Sequence, residues 1–97
     1  MLGMMASVTE IGSLISRDPK IRGGRPCIAG TGVSVRRIAA WHSMGYTPEE
    51  IVSNFGQLSL AQVHAALAYY YANKAEIDAD LEAEERAYDE LAEQHRR

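Results

Sequence analysis

The sequence predicts a mainly α-helical protein: a helix-turn-helix within a homeodomain-like three-helix core, a short N-terminal β-hairpin or strands, and a long C-terminal helix. Three features support this fold class: two helix-capping signatures in close succession, a glycine-rich segment before them, and a final stretch without Gly or Pro. A chain of 97 residues forms one small domain with a modest core, so dimerisation would be a natural source of extra stability.

Two capped helices are predicted between residues 47 and 71. Thr47 and Glu50 have the spacing of a capping box, in which each residue bonds the backbone amide of the other. Gly56 suits the left-handed backbone that ends a helix, and Ser59 with Gln62 repeats the capping-box spacing. Two helices joined by a short glycine-containing turn are typical of a helix-turn-helix, although many such pairs do not bind DNA.

The segment before these helices is predicted to be extended and rich in turns. Residues 8–16 favour a short strand, and residues 29–32 (AGTG) favour a hairpin turn. Neither the GxxxxGK[ST] signature nor a GxGxxG between a strand and a helix is present, so we expect no nucleotide site. Ser34 is expected to cap a helix from residue 35 to about residue 44, and Gly45 to end it.

The charges are unevenly divided along the chain, whose net charge is −3. Residues 1–46 contain six basic and two acidic residues, whereas residues 47–97 contain four basic and eleven acidic residues. This division predicts a basic face for one partner and an acidic tail for another. The alternative is that the acidic residues only solvate a helix.

The last part of the chain predicts an amphipathic, acidic helix. Its narrow apolar stripe consists of Ile77, Leu81, Tyr88 and Leu91. An isolated helix of this kind has little stability in water, so it should dock on its own domain, a second copy or another protein. We therefore divide the chain into a core, residues 1–74, and a helical tail, residues 75–97. The sequence leaves open whether the tail helix continues from the helix that Ser59 caps.

Three segments together resemble one known family. Asp18-Pro19, GGRPCIAGTGVSV from Gly23 and GYTPEEIVSNFGQLSLAQVHAALAYY from Gly45 are similar to the domain-of-unknown-function 433 family. The resemblance implies a small helix-turn-helix, antitoxin-like protein whose partner is a PIN-like ribonuclease toxin. This chain departs from the family at Gly32, where relatives usually have Arg after Gly-Thr.

The sequence gives little indication of catalysis or metal binding. His42, His64 and His95 lie on different predicted segments and have no further ligands at helical spacing. Cys27 is the single cysteine and has no local Cys–His arrangement, so a buried small residue is expected rather than a nucleophile. We predict a non-enzymatic cytoplasmic protein without metal or cofactor, and no apolar run approaches the length of a membrane span.

The leading hypothesis is a dimeric antitoxin-type protein that binds operator DNA and a toxin, and the alternative is a structural self-association module. The predicted toxin contacts are the stripe residues Ile77, Leu81, Tyr88 and Leu91. The second helix of the predicted pair has no Arg or Lys, so contacts to phosphate must come from basic residues elsewhere in the chain. Because one copy has few of them, DNA binding is expected to require two copies. The predicted DNA contacts are Arg22, Arg25, Arg36, Arg37, Ser59 and Gln62.

Overall fold

The computed structural model describes residues 8–96, and in this range the protein is mainly helical. Four α-helices follow an N-terminal part with two short strands. The strands are β1 (Ile15–Ser16) and β2 (Cys27–Ile28), and the helices are α1 (Val35–Ser43), α2 (Pro48–Phe55), α3 (Leu60–Ala72) and α4 (Lys74–His95). The predicted fold class is confirmed.

The predicted strand over residues 8–16 is mostly wrong. A 3₁₀ turn, Ile11–Leu14, takes its place, and the Ser13 amide and hydroxyl both bond the Glu10 carbonyl. Only Ile15 and Ser16 remain extended, paired antiparallel with Ile28 and Cys27. The partner strand is two residues long because a turn follows Ile28 at once.

The predicted turn at residues 29–32 is confirmed. The Thr31 amide and hydroxyl both donate to the Ile28 carbonyl, and Gly30 has a positive φ of 76°. The Ile28 amide then bonds the Val33 carbonyl across the turn. This turn brings the chain back beside β2 and places Ser34 at the start of α1.

All three predicted helix caps are present. The Ser34 hydroxyl accepts from the Arg37 amide at the start of α1. Complete capping boxes, formed by Thr47 with Glu50 and by Ser59 with Gln62, begin α2 and α3. Gly56 ends α2 with φ 68°, which is the left-handed conformation that glycine adopts without steric cost. The tight turn between α2 and α3 therefore follows from local sequence.

The core lies between α3 and the elements around it. Val63, Ala66 and Leu67 of α3 pack with buried side chains from α1 and α2. The remaining members of the buried cluster come from β2, the turns and the other helices, except for Tyr70, which lies on α3 itself. They are Ile28, Val33, Val35, Ile38, Ala39, Ile51, Leu58, Tyr70 and Ile77.

Helix α4 is separate from α3 and begins as part of the core. Asn73 breaks the helix with φ −132° and ψ 42°, and its side-chain amide donates to the Tyr69 carbonyl. After this break Ile77 is completely buried, and Leu81 packs against the core. All side chains from Glu82 to Leu91 are exposed, so the second half of α4 projects from the core. We call residues 84–95 the projecting segment.

Candidate functional site

Three arginines of the N-terminal half form ion pairs with carboxylates on α4. The carboxylates follow one another at four-residue intervals, so they lie on one face of the helix. The pairs are Arg17–Glu76 at 2.6 Å, Arg25–Asp80 at 3.4 Å and Arg36–Glu84 at 2.8 Å. The acidic spacing was visible in the sequence, but its basic partners lie 48 to 59 positions away, too far for a local pattern to identify.

These pairs correct the predicted separation of a basic face from an acidic tail. Helix α4 folds back along α1, so the acidic residues meet the basic ones inside the same chain. Arg25 and Arg36 were predicted to contact DNA, but their guanidinium groups already bind Asp80 and Glu84. They present less free positive charge to a polyanion than the sequence suggests.

Arg22 and Arg37 differ from the paired arginines, because no ion pair within residues 8–96 includes either of them. The Arg22 Nε donates to the Gly32 carbonyl at 3.1 Å, and the Arg37 guanidinium lies 5.5 Å from the centroid of the Phe55 ring. Together with Val33 and Gln57 these residues line a cleft of about 290 Å³. We call it the arginine cleft, and Gly32 lies in its wall.

Ser59 and Gln62, the other predicted DNA contacts, are occupied by helix capping. The Gln62 Oε1 accepts from the Ser59 amide at 2.7 Å, and the Ser59 Oγ accepts from the Gln62 amide at 3.2 Å. Bidentate recognition of adenine requires both the oxygen and the nitrogen of the glutamine amide. Gln62 would have to break its hydrogen bond with the Ser59 amide to recognise a base in this way. The capping function therefore competes with the predicted DNA contact.

The predicted toxin contacts divide into two groups. Ile77 is fully buried in its own chain and unavailable to a partner, which corrects that prediction, and Leu81 is partly covered. Tyr88 and Leu91 are 72% and 54% exposed and lie on the projecting segment. A shallow groove of about 530 Å³ between α1 and α4 leads to them, lined by Ala40, Ser43, Leu81, Glu84, Glu85 and Tyr88.

A second polar cluster joins α3 to the start of α4. The Tyr70 hydroxyl donates to Asp78 at 2.8 Å, and the Lys74 ammonium donates to the other carboxylate oxygen at 2.9 Å. These bonds, that from Lys74 first, hold the pKa of Asp78 below its ordinary value. The cluster bridges the break at Asn73 and fixes the direction in which α4 leaves α3.

The single cysteine and two of the three histidines each have defined surroundings in the structure. The Cys27 thiol is buried and burial raises its pKa, which disfavours the nucleophilic thiolate. His42 bonds the Tyr71 hydroxyl at 2.6 Å, and His95 bonds the Leu91 carbonyl. Within residues 8–96, no group of three His, Cys, Asp or Glu side chains could hold a metal ion.

The molecule is thus a small helical protein whose helix pair, α2 and α3, is flanked by a two-stranded sheet and a projecting helix. It belongs to the family described as "Protein of unknown function (DUF433)", whose model matches residues 15–70, more than half of the chain. The family resemblance predicted from the sequence is therefore confirmed.

A solved structure shares this fold. The chain is similar to the crystal structure of a DUF433 member protein from Anabaena variabilis, with 28% identity and a TM-score of 0.66. The similarity covers 70% of this chain and 67% of that one. No curated protein matches the chain. Among the helices within residues 8–96, none is long and apolar enough to cross a membrane.

Proposed function

We propose that this protein is a non-enzymatic, antitoxin-type module of the cytoplasm that binds a cationic protein partner through the projecting segment. A PIN-like ribonuclease toxin is the partner class that fits best. The observation that supports this proposal is a helix that leaves the core with Tyr88 and Leu91 exposed on an acidic surface. An amphipathic helix of this kind binds by placing its apolar residues in a groove of the partner.

The charge of the projecting segment indicates the sign of the partner's surface. Residues 84–95 contain five carboxylates, of which Glu84 pairs with Arg36, and one arginine, Arg86. A ribonuclease needs a cationic surface to hold RNA, so an acidic helix is attracted to that surface and covers it. A second copy of the same segment would instead meet like charges, which disfavours self-association there.

The position of Ile77 limits where the partner can bind. Because Ile77 belongs to the core and Leu81 packs against it, we expect a partner to bind α4 mainly beyond the Arg36–Glu84 pair. The partner-binding region, which was predicted to begin at residue 75, is therefore reduced to the projecting segment. A truncation after Lys74 would remove a core residue, whereas a truncation after Glu85 keeps Ile77, Leu81 and Glu84.

The test is co-purification with the product of the neighbouring gene, which this proposal expects to be a PIN-like ribonuclease. We expect the full chain to hold that protein and residues 1–85 to lose it, while circular dichroism shows that the truncated chain remains folded. Tyr88→Ala with Leu91→Ala should weaken binding by roughly 10–30-fold, as expected for exposed anchor residues. Met44→Ala is the matched control, because Met44 is also an exposed apolar side chain but lies at the end of α1. Retention of the toxin by residues 1–85 would reject the proposal.

A second candidate function, binding of operator DNA, is favoured by the arginine cleft. Arg22 and Arg37 lie on one cleft and make no ion pair with a carboxylate among residues 8–96. They suit contacts to phosphate, which position a protein on DNA without reading its sequence. One copy offers two such charges in this cleft, so we expect this function to require a dimer.

The DNA function is tested by gel shift with the region upstream of the gene. Arg22→Ala with Arg37→Ala should abolish the shift, whereas Arg96→Ala, on an exposed helix end, should not. Gly32→Arg should tighten binding and steepen its salt dependence by about one charge per copy, because it adds a cation to the cleft wall. Absence of any shift at low salt excludes this candidate. Absence of toxin binding as well would favour the structural self-association module.

A further inference from the structure

Helix α3 presents an outer face without charge. Residues 56–73 contain no Asp, Glu, Lys or Arg, although 24% of the whole chain is charged. This face consists of side chains that do not reach the core. Its members are Leu60, Ala61, His64, Ala68, Tyr71 and Ala72, all of them exposed. A helix surface that avoids charge over its whole length is unusual for contact with water alone.

A groove lies beside this face. It has a volume of about 600 Å³, and its apolar walls come from the N-terminal segment on one side and α3 on the other. Ile11, Gly12 and Ile15 form the first wall, and Ala65 and Ala68 belong to the second. Leu60 and Tyr71 are both exposed, and at about 3.6 residues per turn they lie on the side of Ala68 away from Ala65, where they form a ridge beside the groove.

We propose that a second copy of this chain covers the face, with the ridge of each α3 seated in the groove of the other. A two-fold axis brings a surface against itself, so a self-contacting face must be free of net charge and must contain both a protrusion and a recess. The α3 face meets both requirements. Contact of this face with DNA is disfavoured because α3 carries no cation for phosphate, and Arg17, which lines the groove, is already paired with Glu76. A strongly charged protein would find no opposite charge there.

This surface is independent of those proposed above. It shares no residue with the projecting segment or with the arginine cleft, so a dimer formed through α3 does not use the residues of either. The inference also gives the helix-turn-helix a different role from the one expected. The second helix of the pair, which reads bases in a DNA-binding helix-turn-helix, here joins two subunits.

The test is the molar mass of the full chain by light scattering across roughly 1–100 µM, a range that includes the dissociation constants of modest interfaces. We expect twice the mass of the chain, and a single chain mass for Ala68→Glu and for Ala61→Lys. These two substitutions add opposite charges at exposed helical positions, so loss of the dimer in both reflects burial of the face rather than one sign of charge. Ala87→Glu, on an exposed position of α4, is the matched control and should remain dimeric.

Circular dichroism separates loss of the dimer from loss of the fold. The monomeric variants should keep the helical signal of the parent chain, because Ala61 and Ala68 do not contribute to the core. A parent chain that is monomeric throughout the concentration range overturns the proposal. A dimer that survives both Ala68→Glu and Ala61→Lys overturns it equally, because the interface would then lie elsewhere.

Discussion

Arg36 at the start of α1 and Glu84 in the middle of α4 form an ion pair, with 2.8 Å between Nη2 and Oε2. The arginine side chain is only 18% exposed, whereas the glutamate is 57% exposed. The pair lies where α4 leaves the core, so it influences the direction of the projecting segment. It also explains why Arg36 occupies the first turn of α1, where a cation is unfavourable for the helix dipole.

We predict a measurable but small coupling between these two side chains. A double-mutant cycle with Arg36→Gln and Glu84→Gln should give about 0.5 kcal/mol, since water screens the exposed carboxylate. The coupling should fall as salt is added. The exposed pair Arg96–Glu93 is the control and should give a value near zero. Urea unfolding monitored by circular dichroism measures the coupling free energy of each pair. Equal coupling free energies in the two pairs would contradict the structural role assigned to Arg36.

Helix α4 is predicted to contribute strongly to the stability of the whole domain through Ile77. Ile77→Ala removes a fully buried side chain and should cost about 2–5 kcal/mol. Leu91→Ala shortens an exposed side chain of the same helix and should change stability by less than about 0.5 kcal/mol. Chemical denaturation of the two variants makes the comparison. Similar small effects would mean that α4 does not belong to the core.

Two glycines are predicted to respond in opposite ways to the same substitution. Gly56→Ala forces a side chain into φ 68° and should destabilise the protein by about 1 kcal/mol. Gly32 has no positive φ and nothing within 4 Å of an added Cβ, so Gly32→Ala should stabilise slightly, by about 0.5 kcal/mol. Thermal unfolding of both variants decides the matter. A loss of stability at Gly32 would show that its flexibility is needed.

The sequence allowed the local structure of the helices to be predicted accurately. Capping residues act over three positions, so Thr47 with Glu50 and Ser59 with Gln62 can be recognised without a fold. Gly56 identified the end of α2 for the same reason. The strand predicted at residues 8–16 was wrong because its extent depends on a partner, and β2 is only two residues long.

The charged contacts could not be predicted, because they depend on tertiary structure. The apolar stripe of α4 indicated that the helix docks on something, but not that Ile77 enters the core of its own chain. Once α4 folds back, Arg25 and Arg36 meet Asp80 and Glu84. A count of charges along the chain therefore overestimated the separation of positive and negative surface. Of the basic residues predicted to bind DNA, Arg22 and Arg37 remain without such a pair in the described range.

Acid is predicted to weaken the junction between α3 and α4 through Asp78. Hydrogen bonds from Lys74 and Tyr70 lower the pKa of Asp78 in the folded state. A lowered folded-state pKa stabilises the protein above the unfolded value, near 3.8, and this contribution disappears as the pH falls through the folded value. Asp78→Asn should therefore lower the melting temperature most near about pH 6, and the deficit should shrink towards about pH 2.

Asp89→Asn is the matched control for this pH dependence. Asp89 lies on the exposed part of α4, and its side chain makes no hydrogen bond or ion pair with residues 8–96. Its substitution should leave a difference in melting temperature that hardly varies with pH, so subtraction isolates the effect at Asp78. Thermal unfolding followed at 222 nm across the acid range measures both variants. A deficit for Asp78→Asn that stays constant down to about pH 2 would show that its hydrogen bonds do not stabilise the folded carboxylate.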